Sequence, residues 1–181
     1  MKPHLLTIRE HSSEKYTPRT YYNATSADLT FALAIDLTTA GEKCTKKAAG
    51  DKYLGVEYAH QEEITIARLL YKDMVRRNAK TLNIAGNGIY TLCKQGLTQR
   101  DINRIIYDII SLVHTHWPIE KIYTGGQTGV DIAGAVAGYA LEIETEVTLP
   151  KGFIQRFEDG KDVKMSEQLV GIQIEGGAAF L

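Results

Sequence analysis

Ile122-Tyr123-Thr124-Gly125-Gly126-Gln127-Thr128-Gly129-Val130-Asp131 decides how this chain is read. Residues 121–123 are a short strand candidate that runs into a glycine pair. The residues beyond Gly129 (Ala133, Gly134, Ala135, Ala137, Gly138) are small enough to pack close against a sheet as a helix reaching about Leu141. A strand that ends in Gly-Gly and opens a helix leaves unpaired backbone N–H groups at the positive end of the helix dipole. Glycine lets a ligand approach that backbone with no Cβ in the way, so the turn reads as an anion cradle suited to phosphate. Gln127 and Thr128 add side-chain hydrogen bonds. Asp131, in the first helical turn, can cap its own helix, bind ribose hydroxyls, or hold a base or a water. A plain tight turn between strand and helix is the competing reading. The spacing is not that of the dinucleotide fingerprint, and no Gly-Lys-Ser/Thr follows, so it is not a Walker loop.

Outward from this turn the pattern alternates. Residues 81–85 (Thr-Leu-Asn-Ile-Ala) are a strand candidate. Thr98 offers a helix cap, Ile102, Ile105, Ile106, Ile109, Ile110 and Val113 form an apolar stripe, and Pro118 ends that helix. Residues 146–149 are the next strand, stopped by Pro150. Strand, helix, strand, helix, strand implies right-handed crossovers and a mainly parallel sheet. Upstream, Ile64, Ala67, Leu70, Tyr71 and Met74 mark an amphipathic helix over residues 61–78, which His60 starts. Residues 29–37 read as a buried strand, with a helix as the alternative, and residues 53–58 as another strand. Residues 41–51 are a short helix or a ligand-facing loop. Residues 1–27 are polar and read as an irregular arm with one short strand near residues 5–8. The chain reads as a single domain, 1–181, with its ligand-binding core at 81–162.

Parallel strands place their following loops along one edge, where ligands of open α/β sheets sit. Gly86, Asn87, Gly88 and Tyr90 follow one strand and share that edge with the turn at 124–131. Glycines that only relieve strain are an equal reading there. Pro150-Lys151-Gly152-Phe153 and Arg156 follow another strand, with Lys151 and Arg156 able to neutralise phosphate. Alone, this would be a solvated surface loop. The stretch Asp36 to Lys47 carries hydroxyls, Gly41 and three lysines, and is read first as a solvated face. The expected ligand contacts are therefore Gly86, Asn87, Gly88, Tyr90, Thr124, Gly125, Gly126, Gln127, Thr128, Gly129, Asp131, Lys151, Gly152 and Arg156. Asp131, Glu158 and Asp159, with Asp36, are the carboxylates available for acid–base catalysis. No nucleophile–base pair is evident. His114 and His116, at i and i+2, face different sides and read as helix-end residues, so no metal site or cofactor is identified.

At 181 residues with a formal charge of −1, the chain has no overall electrostatic grip on nucleic acid, although Lys43, Lys46, Lys47 and Lys52 cluster locally. Cys44 and Cys93 lie far apart with no metal-ligand spacing, as expected of reduced thiols. The first residues, Met1 to His4, do not read as a leader, and no apolar run is long enough to cross a bilayer, so a cytoplasmic protein is expected. The apolar end, residues 176–181, would pack on a second copy in a homo-oligomer or close over its own sheet.

With these loops placed, the glycine turn and its Ala/Gly-rich helix, Pro150-Lys151-Gly152 and Glu158-Asp159-Gly160 resemble the signature of the molybdenum-carrier family. The resemblance spans roughly residues 81–162. That family is similar to the lonely-guy phosphoribohydrolases and the DNA-processing protein A family. The resemblance implies a Rossmann-like three-layer α/β fold and the binding of a nucleotide or nucleotide-derived ligand by a sensing or carrier module. The alternative it carries is hydrolysis of the N-glycosidic or phosphate bond of a nucleotide. The chain departs from the phosphoribohydrolase pattern: Thr124 stands in place of a proline, and Asp131 in place of a glutamate.

Overall fold

The computed structural model describes residues 5–59 and 61–181. His60, expected to start a helix, and the first four residues, expected not to be a leader, lie outside the described residues. The chain opens with β1 (Leu6–Glu10), α1 (Tyr16–Ser26), β2 (Leu29–Ala34), α2 (Ala40–Ala49), β3 (Tyr53–Glu57) and α3 (Glu63–Arg77). It continues with β4 (Thr81–Gly86), the single turn α4 (Ile89–Leu92), α5 (Gln99–His116), β5 (Lys121–Thr124), α6 (Val130–Ala140) and β6 (Glu144–Leu149). The short strands β7 (Gln155–Arg156) and β8 (Asp162–Val163) form a hairpin, and α7 (Glu167–Ala179) closes the chain.

Strands β1 to β6 make one six-stranded sheet in the order β1-β6-β5-β4-β2-β3, every pair parallel. Helices α1 and α2 cover one face, and α3, α5, α6 and α7 the other. This is the expected Rossmann-like three-layer α/β architecture. The chain runs from β2 outward to β3, then returns across β2 to β4 and continues the other way. The border of β2 and β4 is therefore the topological switch point, where loops leave for opposite faces and open a crevice at the strands' carboxyl ends.

Alternation along the strands sets what each face carries. Leu29, Phe31, Leu33, Leu82, Ile84 and Ile122 point to the α3/α5/α6 side and are fully buried with the isoleucine stripe of α5. Each such side chain contributes about 1.5–3 kcal/mol through burial. Helix α5 starts at a capping box between Thr98 and Asp101. Small residues of α6 bring it onto the sheet, and a Cβ at Gly134 would press on Ile84.

The N-terminal segment has the expected short strand, as β1, but the rest of it is not an irregular arm. Residues 6–10 are the edge strand beside β6, and residues 16–26 form α1. Tyrosine, threonine, asparagine and a proline give this helix weak intrinsic propensity. Tertiary contacts hold it instead. Tyr22 Oη donates to Glu146 at 2.7 Å, Arg9 pairs with both Tyr22 and Glu146, and Asn23 Nδ2 donates to the Thr148 carbonyl at 3.4 Å. Of residues 176–181, Ala178 and Leu181 pack against the chain's own second core cluster while Phe180 is exposed, and Val170 and Ile174 ahead of them are fully buried. These last two pack with Ile132, Val136, Val147 and Leu149 under α7. No helix among the described residues is long and apolar enough to cross a membrane.

Candidate functional site

The glycine turn holds an anion, and the anion is its own. The Asp131 carboxylate accepts backbone N–H bonds from Gln127 and Gly86, and Arg19 Nη1 of α1 donates to its Oδ2 at 2.9 Å. Both partners of this ion pair are buried. Burial pushes the Asp131 carboxyl above its ordinary range, opposed by Arg19 and those two backbone donors. Gly125 is a glycine because the Arg19 guanidinium lies where its Cβ would be. Gly129, at φ +101°, brings the turn against the β4 loop, where a Cβ would overlap the Asn87 carbonyl.

Several other polar groups of the turn are likewise bonded within the chain. Gly129 N–H donates to Gln99 Oε1 at 2.6 Å, and Val130 N–H to the Asn87 carbonyl at 3.2 Å. Thr124 Oγ1 donates to the Asp131 carbonyl at 2.7 Å. Gln127 Nε2 donates to the Ile154 carbonyl at 2.7 Å, its Oε1 accepts from Arg156 N–H at 2.9 Å, and Thr128 Oγ1 donates to the Arg156 carbonyl. The Gly126 carbonyl accepts from Gln155 Nε2 at 2.7 Å. Gln127 and Thr128, expected as ligand contacts, thus pin the segment that leads into the hairpin.

A cavity of about 430 Å³ lies beside this turn, at the β2/β4 switch point, between α1, α2 and the sheet. Of the expected contacts, Gly86, Asn87, Gly88, Tyr90, Gly125, Gln127, Asp131 and Arg156 border it. Asn87 is a buried clamp. Its Oδ1 accepts from the Ile35 and Asp36 N–H groups, and its Nδ2 donates to the Asp36 carbonyl at 3.1 Å, tying the two diverging loops together. Tyr90 and Arg156 stand at the mouth. Arg156 makes a two-pronged bond to Asp162, at 2.8 and 3.1 Å, and Tyr16 Oη donates to the same carboxylate at 2.9 Å. The guanidinium carbons of Arg19 and Arg156 lie 5.8 and 5.7 Å from the Tyr16 ring centroid. Burial, then the bond to Asp162, pushes the Tyr16 phenol up to about 12.

Other expected residues lie elsewhere. Thr124, Gly126, Thr128 and Gly129 are not among the residues that border the cavity. Lys151 and Gly152 belong to the β1 edge, where their N–H groups donate to the Ser13 carbonyl and to Glu10. Glu158 and Asp159 are exposed at the hairpin tip, where Asp159 Oδ1 accepts from Lys161 N–H. They border a separate depression of about 830 Å³ walled by apolar groups such as Val136, Phe157, Ile172 and Phe180. Glu158 and Asp159 are not among the residues that border the first cavity. Asp36 is exposed, and its carboxylate, held below its usual range first by the Thr38 hydroxyl and then by the Thr38 N–H, organises the turn before α2.

The residues that sequence reasoning missed come from α1 and α2. Arg19 and Asn23 lie one helical turn apart on α1. Glu42 lies in the first turn of α2, whose cap is Thr39. All three are buried and border the cavity. Burial, and behind it the Asp131 and Asp36 carboxylates, pushes Glu42 up to about 8, which makes it the neutral acid at pH 7. Five buried side-chain atoms among the described residues lack a hydrogen-bond partner. Three of them, Arg19 Nε, Asn23 Oδ1 and Glu42 Oε2, belong to residues that border this one cavity. The apolar depression has one, Gln173 Oε1, so the smaller cavity is the stronger candidate for a polar ligand. A cavity of this size falls in the range of small-molecule sites. No cluster of potential metal ligands occurs among the described residues.

No family model matches the chain, and neither a curated protein nor a solved structure matches it. The resemblance therefore rests on its motif residues alone.

Proposed function

We propose that this chain binds a nucleotide or nucleotide-derived ligand in the cavity between α1, α2 and the glycine turns, as a sensing or carrier module. The observation that carries this reading is a cavity of small-molecule size at the switch point of a parallel sheet, bordered by the buried polar residues Arg19, Asn23, Glu42 and Asp131. Burying polar side chains around a cavity costs stability unless they are paired, so a polar lining at this position is the mark of a binding site. The phosphate end goes to the first turn of α2, where Ala40 and Gly41 are the opening residues of a helix and border the cavity. The first N–H groups of a helix have no acceptors within it. The Asp131–Arg19 pair is the rigid floor, and Arg156 and Tyr90 frame the entrance. The resemblance in residues 81–162 supports the same ligand class. A thermal-shift screen of mononucleotides, ADP-ribose-like compounds and oxyanions tests the reading. A ligand at a hundred times its dissociation constant adds about 2.7 kcal/mol of stability. Absence of any shift across the panel contradicts the proposal.

Glu42 favours a second reading, cleavage of a nucleotide's N-glycosidic or phosphate bond. A neutral carboxyl group beside a charge-paired one is the arrangement that separates acid from base roles. Release of free base or phosphate, lost in Glu42→Gln, supports it; equal rates in the variant reject that role. A homo-oligomer would use the outer face of α7, where Ile172 and Phe180 are exposed. Sedimentation velocity tests it.

A further inference from the structure

The depression on the other side of the glycine turn is apolar where the first cavity is polar. In the turn, Gln127 borders the first cavity and Thr128 the depression, and the hairpin neighbours Arg156 and Phe157 divide in the same way. Three elements supply its apolar walls: Ile132 and Val136 of α6, Ile172 and Phe180 of α7, and Phe157 and Val163 of the hairpin. Ile172, Phe180 and Val163 are exposed. Large apolar side chains exposed together mark a surface that something covers. The volume of about 830 Å³ falls in the range of small-molecule sites.

The remaining wall, α5, offers hydrogen-bond donors. Arg100, in the first turn of α5, borders the depression, and its guanidinium carbon lies 5.6 Å from the Phe180 ring centroid. Among the described residues its contacts are that ring and the field of Asp101, and no carboxylate is bonded to it. Asn103, one turn further on, has its Oδ1 engaged by Gln99 Nε2 at 2.9 Å. Its Nδ2 donor is then turned toward α7, 2.9 Å from where a Cβ of Gly177 would be. The acidic residues of the depression, Glu158 and Asp159, stand on the hairpin instead, and Asp159 is paired with Lys161. The unpaired cation therefore adjoins the apolar wall at Phe180.

We propose that this depression binds an amphiphilic carboxylic acid, with its apolar body against Val136, Ile172 and Phe180 and its carboxylate on Arg100 and Asn103. Guanidinium recognises carboxylate through two parallel N–H bonds, and the Asn103 amide adds a third donor. A neutral hydrocarbon fills the walls and leaves Arg100 unpaired. A cationic amphiphile meets the like charge of Arg100. A nucleotide would set its polar groups against apolar walls that cannot replace their hydration. The site is thus independent of the nucleotide reading and takes a different class of ligand.

Isothermal titration of the intact protein with decanoate, decanol and decyltrimethylammonium, each below its micellar concentration, tests this. Decanoate should bind tightest, at least about threefold tighter than decanol, and decyltrimethylammonium weakest. Arg100→Gln should bring decanoate to the level of decanol. Gly176→Leu places a side chain at the border of the depression, where an added Cβ meets nothing within 4 Å, and should weaken decanoate while keeping a cooperative melting transition. Equal affinity for decanoate and decanol, or binding of none of the three, overturns the proposal. So does displacement of decanoate by AMP, which would put it in the first cavity. Dimer formation in sedimentation velocity that shuts decanoate out as protein concentration rises gives the depression to a second copy and overturns it as well. Failure of every nucleotide to bind overturns the nucleotide reading and leaves this site standing.

Discussion

The two faces of the sheet are made by alternating residues of the same strands, yet one is closed and the other is open. Toward α3, α5 and α6, β2 and β4 present Leu29, Phe31, Leu33, Leu82 and Ile84, all buried in one continuous core. Toward α1 and α2 the intervening positions are Thr30, Ala32, Ala34, Asn83 and Ala85, also buried but small or polar. Parallel strands covered on both faces usually read as continuous apolar runs. Here one face departs from that rule, and the shortfall in side-chain volume beneath α1 and α2 is where the cavity lies. The apolar face fixes the scaffold, and the polar face is left for a ligand.

Perturbations on the two faces should therefore differ in kind. The largest effect is expected at the floor of the cavity. Asp131→Ala strips a buried guanidinium of its partner and should cost about 3–5 kcal/mol in urea unfolding, whereas replacing both members of the pair with apolar residues should recover most of it. On the apolar face, Ile84→Ala should cost about 2–5 kcal/mol. On the opposite face, Thr30→Ala should cost about 1 kcal/mol, since it loses only the 3.2 Å bond from Asn83 Nδ2. Equal costs on the two faces would erase the distinction.

Glu42→Gln should act with pH. Its folded pKa, about 8, is above the ordinary 4.5, so the folded state binds more protons between those values. Stability from this group is fully present below pH 4.5 and lost as pH rises through 8. The variant should thus gain on the order of 1–3 kcal/mol over the wild type at about pH 8.5 and nothing at about pH 4. Thermal melts across that range give the slope directly. The smallest effect is expected at Gly41, where an added Cβ would meet nothing within 4 Å. Gly41→Ala should be neutral or stabilising by up to about 1 kcal/mol.

The scaffold is legible in the sequence because its signals are local. The isoleucine stripe of α5, the small residues of α6 and the alternation of strand and helix after residue 81 each specify an element without help from distant sequence. The switch-point loops are legible too, and Gly86, Gly125 and Asp131 do border the cavity. What the glycines accommodate is not legible. Gly125 makes room for Arg19, which lies more than a hundred residues earlier on a helix of poor intrinsic propensity. Glu42 sits among lysines and reads as part of a solvated helix until α1 and β3 bury it. Lys151, Glu158 and Asp159 carry suitable chemistry in the right order, but backbone contacts to the β1–α1 connection and the hairpin turn them elsewhere.

Amide chemical-shift mapping during an AMP titration tests the central claim most directly, that the glycine turn is filled by Asp131 and the ligand lies against α1 and α2. Shifts concentrated at Arg19, Asn23 and residues 39–42, with small changes at Gly129 and Val130, are the predicted result. Shifts confined to residues 125–131, with α1 and α2 silent, would contradict it.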